Sequence, residues 1–249
     1  MNPLIKFRKT IALIFSVLFL VGFVETDVRI IENERPLAIV RRFKPSVSVS
    51  NASSKIKELN LEENIGEQLF SGDTLLTDNE GYALIVFMDN SIAKVKPNSM
   101  LVVRGETDKA IKKGNTRIDL GLGEIFLDVQ PQGGNDFEVS TSRSLASVKG
   151  TQFGNTGDGY VWVKEGQVDV EASVSGETVS LFEKMFAQVN EQGDGIESGT
   201  LSDSDMDELE GGYGSLDENL IKKQMKIRFR DANGQIREVI IDYFEKSGN

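Results

Sequence analysis

The sequence holds no cysteine and no histidine in 249 residues. Without cysteine there is no disulfide, no thiol nucleophile, no thiolate metal site and no lipid-modified cysteine anchor. Either side of a bacterial membrane is compatible with that lack. Without histidine the commonest general base and metal ligand is missing, so Ser-His-Asp triads and ordinary zinc sites are excluded. Tryptophan occurs once, as Trp162. Positive charge is in deficit: 28 Lys and Arg face 39 Asp and Glu, a formal net charge of −11. Nucleic-acid binding relies on Lys and Arg against phosphate, so no nucleic-acid partner is expected.

The long hydrophobic run lies at the amino terminus, "MNPLIKFRKTIALIFSVLFLVGFVETD" (1–27). Lys6, Arg8 and Lys9 precede an uncharged stretch from Ile11 to Val24, and Glu25 and Asp27 close it. A positive segment followed by an apolar one is the pattern of an export signal or anchor. The 14 residues of 11–24 would make a helix of about 21 Å. That spans a bilayer if Lys9 snorkels and Thr10 and Thr26 sit at the interfaces. Gly22 is the small residue near its end and no A-x-A-like pattern follows, which favours an uncleaved anchor over a cleaved signal. The excess of positive charge before the run keeps the amino terminus in the cytoplasm and exports the remainder. The expectation is a single-pass inner-membrane protein, associated through residues 11–24, with an extracytoplasmic carboxyl-terminal part. The alternative is secretion after cleavage.

From Leu37 to about Val189 the apolar period is two. In "YALIVFM", Tyr82, Leu84, Val86 and Met88 alternate with Ala83, Ile85 and Phe87. Both faces are apolar, which predicts a strand buried on both sides. Asp89-Asn90-Ser91 then supplies turn chemistry for a hairpin into "IAKVK". "SVSV", "EIFLDV", "DFEVST", "YVWVKEGQVDVEA", "ETVSLF" and "MFAQV" repeat the alternation, and glycines punctuate them. Short strands at close spacing predict an all-β fold, a compact β-roll or sandwich.

Beyond Val189 the composition turns acidic and rich in Gly and Ser, and 191–219 reads as a flexible linker with room for one helical turn ended by Gly211-Gly212. Ser215–Glu218 has the S-x-x-E form of a capping box, which predicts a short helix to about Met225. The alternating runs around Asp231-Ala232-Asn233-Gly234 predict a β-hairpin. The organisation expected is thus an anchor at 1–27, a β-domain at 37–190, a linker at 191–219, and a short helix plus hairpin at 220–249. A lone hairpin is marginal in water, so it should dock on the main domain or on a partner, and Lys226–Phe244 is the favoured partner surface, through strand addition.

Several motifs in fixed order resemble one family. Gly72-Asp73, Leu75, Thr77, the Tyr82–Met88 strand, Asp89-Asn90-Ser91 and Pro97-Asn98-Ser99 are followed by the Gly123–Val129 strand. Then come Val148-Lys149-Gly150-Thr151-Gln152-Phe153 and Val161-Trp162-Val163-Lys164-Glu165-Gly166-Gln167-Val168. Over roughly 37–190 this is similar to the FecR domain, an exported bacterial β-domain. The resemblance marks Gly72, Asp73, Asp89, Ser91, Gly150, Thr151, Phe153 and Gly166 as fold-signature residues. Asn90 stands where the family has Gly, and Asn reaches positive φ. FecR-type regulators resemble a cytoplasmic sigma-binding domain joined by a membrane helix to this domain. Here about nine residues precede the apolar run, so the expectation is the exported domain without the anti-sigma arm. The resemblance implies a non-enzymatic sensing or protein-interaction role, with an envelope or outer-membrane protein as partner and no small-molecule cofactor. The alternative is a scaffolding envelope protein that binds glycan or itself.

Candidate chemical sites compare poorly with structural readings of the same residues. Lys149-Gly150-Thr151 is not a P-loop, where Gly precedes Lys. A tight strand position accounts for Gly150 better. Ser54–Lys57 and Ser91–Lys94 imitate the S-x-x-K of penicillin-recognising enzymes, without its partner motifs. In a strand, positions 91 and 94 point to opposite faces. Asp203, Asp205 and Asp207 imitate the start of a calcium loop, with Glu208 where Gly belongs and Gly214 where Glu belongs. Asp73 reads as a turn cap that bonds its own backbone two residues on. Trp162 reads as core in preference to a binding-surface aromatic.

Overall fold

A computed structural model describes residues 35–51, 56–60, 64–105, 115–133, 136–213, 220–230 and 234–246. The anchor expected at 1–27 lies outside these residues. Among the described residues no helix is long and apolar enough to cross a membrane.

The alternating segments form two nine-stranded sheets. Sheet A runs β18 (Ile196–Thr200), β17 (Met185–Val189), β14 (Tyr160–Glu165), β13 (Gln152–Thr156), β10 (Glu124–Asp128), β7 (Ile92–Val95), β6 (Ala83–Phe87), β1 (Ala38–Phe43) and β4 (Glu67–Leu69). Sheet B runs β16 (Thr178–Phe182), β15 (Gln167–Ala172), β12 (Ser144–Val148), β11 (Phe137–Ser140), β9 (Thr116–Leu122), β8 (Met100–Gly105), β5 (Thr74–Thr77), β2 (Val47–Ser50) and β3 (Lys57–Glu58). From β4 onward the chain changes sheet after every one or two strands. β10 therefore sits between β7 and β13, separated from each in sequence by strands of the other sheet. Within the two sheets all pairings are antiparallel apart from β9 with β11.

The period of two sorts residues as expected. In β15, Val168, Val170 and Ala172 are buried while Gln167, Asp169 and Glu171 are exposed. The inward residues of both sheets fill one core, which includes Ile85, Leu101, Ile118, Leu127, Phe153 and Val170. Phe87 of sheet A meets Phe137 of sheet B edge to face, with centroids 5.3 Å apart. All five residues of β6 are buried, as its two apolar faces predict. Its hairpin with β7 turns at Asn90, whose φ is 68°.

Two sequence expectations are corrected. The stretch read as linker at 191–219 contains β18, paired with β17, and helix α1 (Asp203–Gly211). An asparagine-centred turn makes the first of these possible: Asn190 Nδ2 donates to Asp194 Oδ1 at 2.7 Å, and Gly193 takes a φ of 72°. The acidic, Gly-rich composition concealed apolar residues at usable spacing, Ile196, Leu201, Met206 and Leu209. The second correction is the helix expected from 220 to Met225. Its capping residues at 215–218 lie outside the described residues, and Leu220–Arg230 is instead strand β19. It pairs with β20 (Ile236–Lys246) through eleven consecutive residues, from Leu220↔Lys246 to Arg230↔Ile236. A continuous ladder of that length outweighs one local capping signal. The expected hairpin is present, and Gly234 adopts a φ of 79° in its loop.

Candidate interaction surface

The strands of sheet A carry a second apolar face, turned away from sheet B. Residues one position off the inward set point there: Phe126 from β10, Tyr160 and Trp162 from β14, and Phe186 from β17. With Met206, Tyr213, Leu201 and Leu209 they form a cluster separate from the inter-sheet core. Trp162 is fully buried. Its ring lies 5.4 Å from that of Phe126, Phe126 lies 5.5 Å from Tyr213, and Tyr160 stacks on Phe186 at 5.5 Å. Gly154 of β13 makes room for the indole, since a Cβ there would stand 2.1 Å from Trp162 Nε1. That nitrogen has no hydrogen-bond partner.

Helix α1 covers this face. Its start is a capping box: the Ser202 hydroxyl accepts from the Asp205 N–H at 3.2 Å, and the Asp205 carboxylate accepts from the Ser202 N–H at 2.9 Å. Leu201 before the cap and Met206 in the first turn belong to the same cluster, the arrangement of a hydrophobic staple. A helix of nine residues is marginal alone, so docking must sustain it. Lysines frame the dock. Lys184 pairs with Asp203 at 2.7 Å, Lys164 pairs with Glu210, and Lys96 lies 4.4 Å from the Tyr213 ring centroid. Glu124 accepts both from Lys96 at 2.9 Å and from the Tyr213 hydroxyl at 2.8 Å. Lys94 lies over the Phe126 ring at 5.4 Å.

These contacts bias the protonation states. Hydrogen bonds from Ser202 hold the Asp205 carboxyl below its ordinary range, and the bond and charge of Lys184 do the same for Asp203. Burial, then the Glu124 charge, push the Tyr213 phenol upward. Burial, reinforced by Asp205, raises Tyr160. The surface is therefore an aromatic groove rimmed by ammonium groups and filled by an acidic helix. Its chemistry suits macromolecular contact.

The fold-signature residues lie elsewhere, at the corners of the sandwich and, for Phe153, in its core. Gly72 turns with a φ of 93°, and Asp73 Oδ2 accepts from the Phe70 N–H at 2.8 Å, three residues earlier in the chain and not two residues on as expected. Asp89 accepts from the Ser91 N–H and hydroxyl and from Gln132 Nε2, while Ser91 Oγ accepts from the Gln130 N–H at 3.0 Å. Ser91 is thus tied to Asp89 while Lys94 lies over Phe126, so the S-x-x-K pair is not assembled. Gly150 has a φ of 139° with Pro131 Cα 3.2 Å from a would-be Cβ. The Thr151 hydroxyl donates to the Gln167 carbonyl at 2.8 Å, and a Cβ on Gly166 would meet Gly150 O and Thr151 Oγ at 3.0 Å. Phe153 is fully buried in the inter-sheet core. Lys149-Gly150-Thr151 does line an open cavity of about 360 Å³, together with Asp136 and Asp169. Asp169 is held there by Ser180 and Gln167, which lower its pKa. The three aspartates read as a calcium-loop imitation lie in α1, with Asp203 bonded to Lys184 and Asp205 to Ser202.

Trp162 is buried, as its strand predicted, but under α1 and not between the sheets. The sequence reading allows one helical turn ended by Gly211-Gly212, but not its docking or the groove beneath it. The signal was Ser202-x-x-Asp205 followed by Met206 and Leu209, hidden by the acidic residues around it.

Comparison with known proteins accords with the corner motifs. Residues 73–169 match the family model described as FecR protein, so the chain carries a FecR region there. No curated protein matches the chain. Two solved structures of a "putative anti-sigma factor" from Parabacteroides distasonis, at 1.65 and 2.50 Å resolution, are similar at 16% identity and a TM-score of 0.46. Each similarity covers 60% of this chain and 66% of the other.

Proposed function

We propose that this chain is a non-enzymatic regulatory protein of the bacterial cell envelope, anchored by residues 11–24, whose extracytoplasmic β-domain acts by binding another protein. The observation that carries the reading is the FecR match over 73–169. Support for the anchor comes from the charge pattern around the apolar run, with Lys6, Arg8 and Lys9 on one flank and Glu25 and Asp27 on the other. A binding role also suits a surface built from aromatic rings and lysines, with carboxylates engaged singly in caps and ion pairs.

Site-specific photocrosslinking in native membranes tests the partner. Capture of a regulatory or outer-membrane protein by probes on the β-domain is the expected result. Capture of cell-wall polymer alone, or of this chain alone, would replace the regulatory reading with a scaffolding one. Topology is tested by fusions after residue 27. A reporter active only outside the cytoplasm should fold there, and activity of a cytoplasmic reporter at the same point overturns the anchored, exported arrangement.

A further inference from the structure

We infer that the segment 202–213 is a displaceable strap, and that the groove beneath it receives an acidic amphipathic helix from a partner protein. The inference deepens the proposed protein-binding role and rests on it.

The receiver is built independently of its occupant. Phe126, Trp162 and Phe186 sit on β10, β14 and β17, whose inward neighbours Ile125, Val161, Val163 and Ala187 are locked into the inter-sheet core. Lys164 projects from β14, and Lys184 sits in the β16–β17 turn, where its N–H donates to the Val163 carbonyl at 2.9 Å. None of these positions needs α1 for its backbone bonding.

The occupant is weakly committed to its own helix. Met206 is the one buried residue of α1, and Tyr213 lies beyond its end. Glu208 and Glu210 fall toward the helix carboxyl terminus, where negative charge opposes the helix dipole, and the last turn has no basic residue. The lysines of the sheet supply the missing positive charge. The pivot is defined too: the Leu201 N–H donates to the Lys184 carbonyl at 2.7 Å, which pins the chain immediately before the strap, and beyond it side-chain contacts hold the strap to the sheet. Segments with few buried contacts open at lower free energy than the core they lie on.

The groove specifies its guest by charge and spacing. In a chain of net charge −11, four lysines, 94, 96, 164 and 184, gather around one aromatic patch. A helix with carboxylates along its rim and large apolar residues at the positions of Met206 and Leu209, followed by an aromatic ring at that of Tyr213, fits that pattern. Helix-in-groove recognition reads such anchors at helical spacing.

Trp162, the single tryptophan, reports directly on the strap. The test uses the full chain in detergent or vesicles, with Met206→Ser and Tyr213→Ser combined, and a synthetic peptide of the sequence of residues 201–213. Acrylamide quenching of Trp162 should rise in the double variant while the far-ultraviolet β-sheet signal persists. Added peptide should restore protection, and Lys164→Glu with Lys184→Glu should weaken that binding roughly tenfold. Unchanged quenching, a peptide that leaves an exposed Trp162 exposed, or collapse of the sheet signal would each overturn the inference. So would dimers in light scattering that close the groove without peptide, which would make a second copy the occupant. Hydrogen exchange on the unaltered chain stands independently of these variants. Amides of 203–211 should exchange faster than those of β10 and β14, and equal protection overturns the inference. Peptide binding reports on the groove alone, so a failure here leaves the crosslinking test of the regulatory role intact.

Discussion

The inter-sheet core and the cluster under α1 lie on opposite faces of the same strands and are sealed in different ways. On β10, Ile125 and Leu127 point inward and Phe126 outward. On β14, Val161 and Val163 point inward and Trp162 outward. The inward face is largely aliphatic and closed by a whole second sheet. The outward face is aromatic and closed by nine helical residues and one tyrosine. A face closed by a sheet shares the cooperativity of the entire domain. A face closed by a short strap has a stability of its own, which can be lost while the domain remains folded.

Cutting into the inward face should have the largest effect. Leu127→Ala should cost about 2–5 kcal/mol of global stability, read as a lower urea midpoint of the whole β-domain. A loss confined to Trp162 fluorescence would contradict the shared cooperativity. Gly154→Ala attacks the outward face through its floor. The added methyl meets Trp162 Nε1, and overpacking of this kind costs about 1–3 kcal/mol. The indole emission should shift along with the midpoint, and an unchanged spectrum would mean the ring is not seated on that glycine.

Met206→Ala should separate the two faces most cleanly. Quenching of Trp162 should increase while the urea midpoint of the sheets stays near the parent value. Coupled loss of both would merge the faces into one cooperative unit. Acidity and alkalinity should act on the strap in turn. Asp203 and Asp205 have carboxyls lowered in the fold from 3.8, so their contribution is present above that pH and is lost as pH falls through the lower folded values. Tyr213 has a phenol raised from 10.0, so the folded form keeps its proton when the unfolded chain gives it up, and stability declines as pH rises past 10.0. Trp162 quenching against pH should therefore be flat in the neutral range and rise at both ends. A rise near pH 6 would point to other groups. The smallest effect is expected of Lys184→Ala, because the Lys184–Asp203 pair is exposed and screened. At physiological salt neither midpoint nor quenching should move, and a clear shift would promote this pair to a main clasp of the strap.

Much of the β-domain was legible because its signals are local. The double apolar face of Tyr82–Met88 is readable from seven residues, and it is a strand with both faces covered. Asp89-Asn90-Ser91 is readable as a turn, and the Asn90 φ of 68° fits it. The Gly150 question is answered across the corner, where Pro131, Thr151 and Gly166 crowd the same point. The candidate surface was far less legible. Trp162 alternates correctly in its strand, but alternation does not say what lies over an outward residue. The acid-rich run 203–210 has the composition of a solvated linker, and two of its carboxylates meet lysines distant in the chain, Asp203 with Lys184 and Glu210 with Lys164. Asn155 shows the same limit from the other side. It sits in a glycine-flanked, turn-like stretch, yet pairing with Ile125 and Val161 carries it into the interior, fully buried and with neither amide atom hydrogen-bonded.

Alone, the sequence determined which residues alternate, where the chain turns, and that the corner motifs belong to a FecR region. These follow from backbone sterics and a period of two, both expressed within a few neighbouring residues. Only the tertiary structure decided that one outward face of sheet A is a lysine-rimmed aromatic groove and that the acidic stretch after Thr200 is the helix that fills it. The contacts responsible join Tyr213 to Glu124 and Glu210 to Lys164, 89 and 46 residues apart. Charge and apolar surface at such separations acquire meaning once the sheets have brought them together.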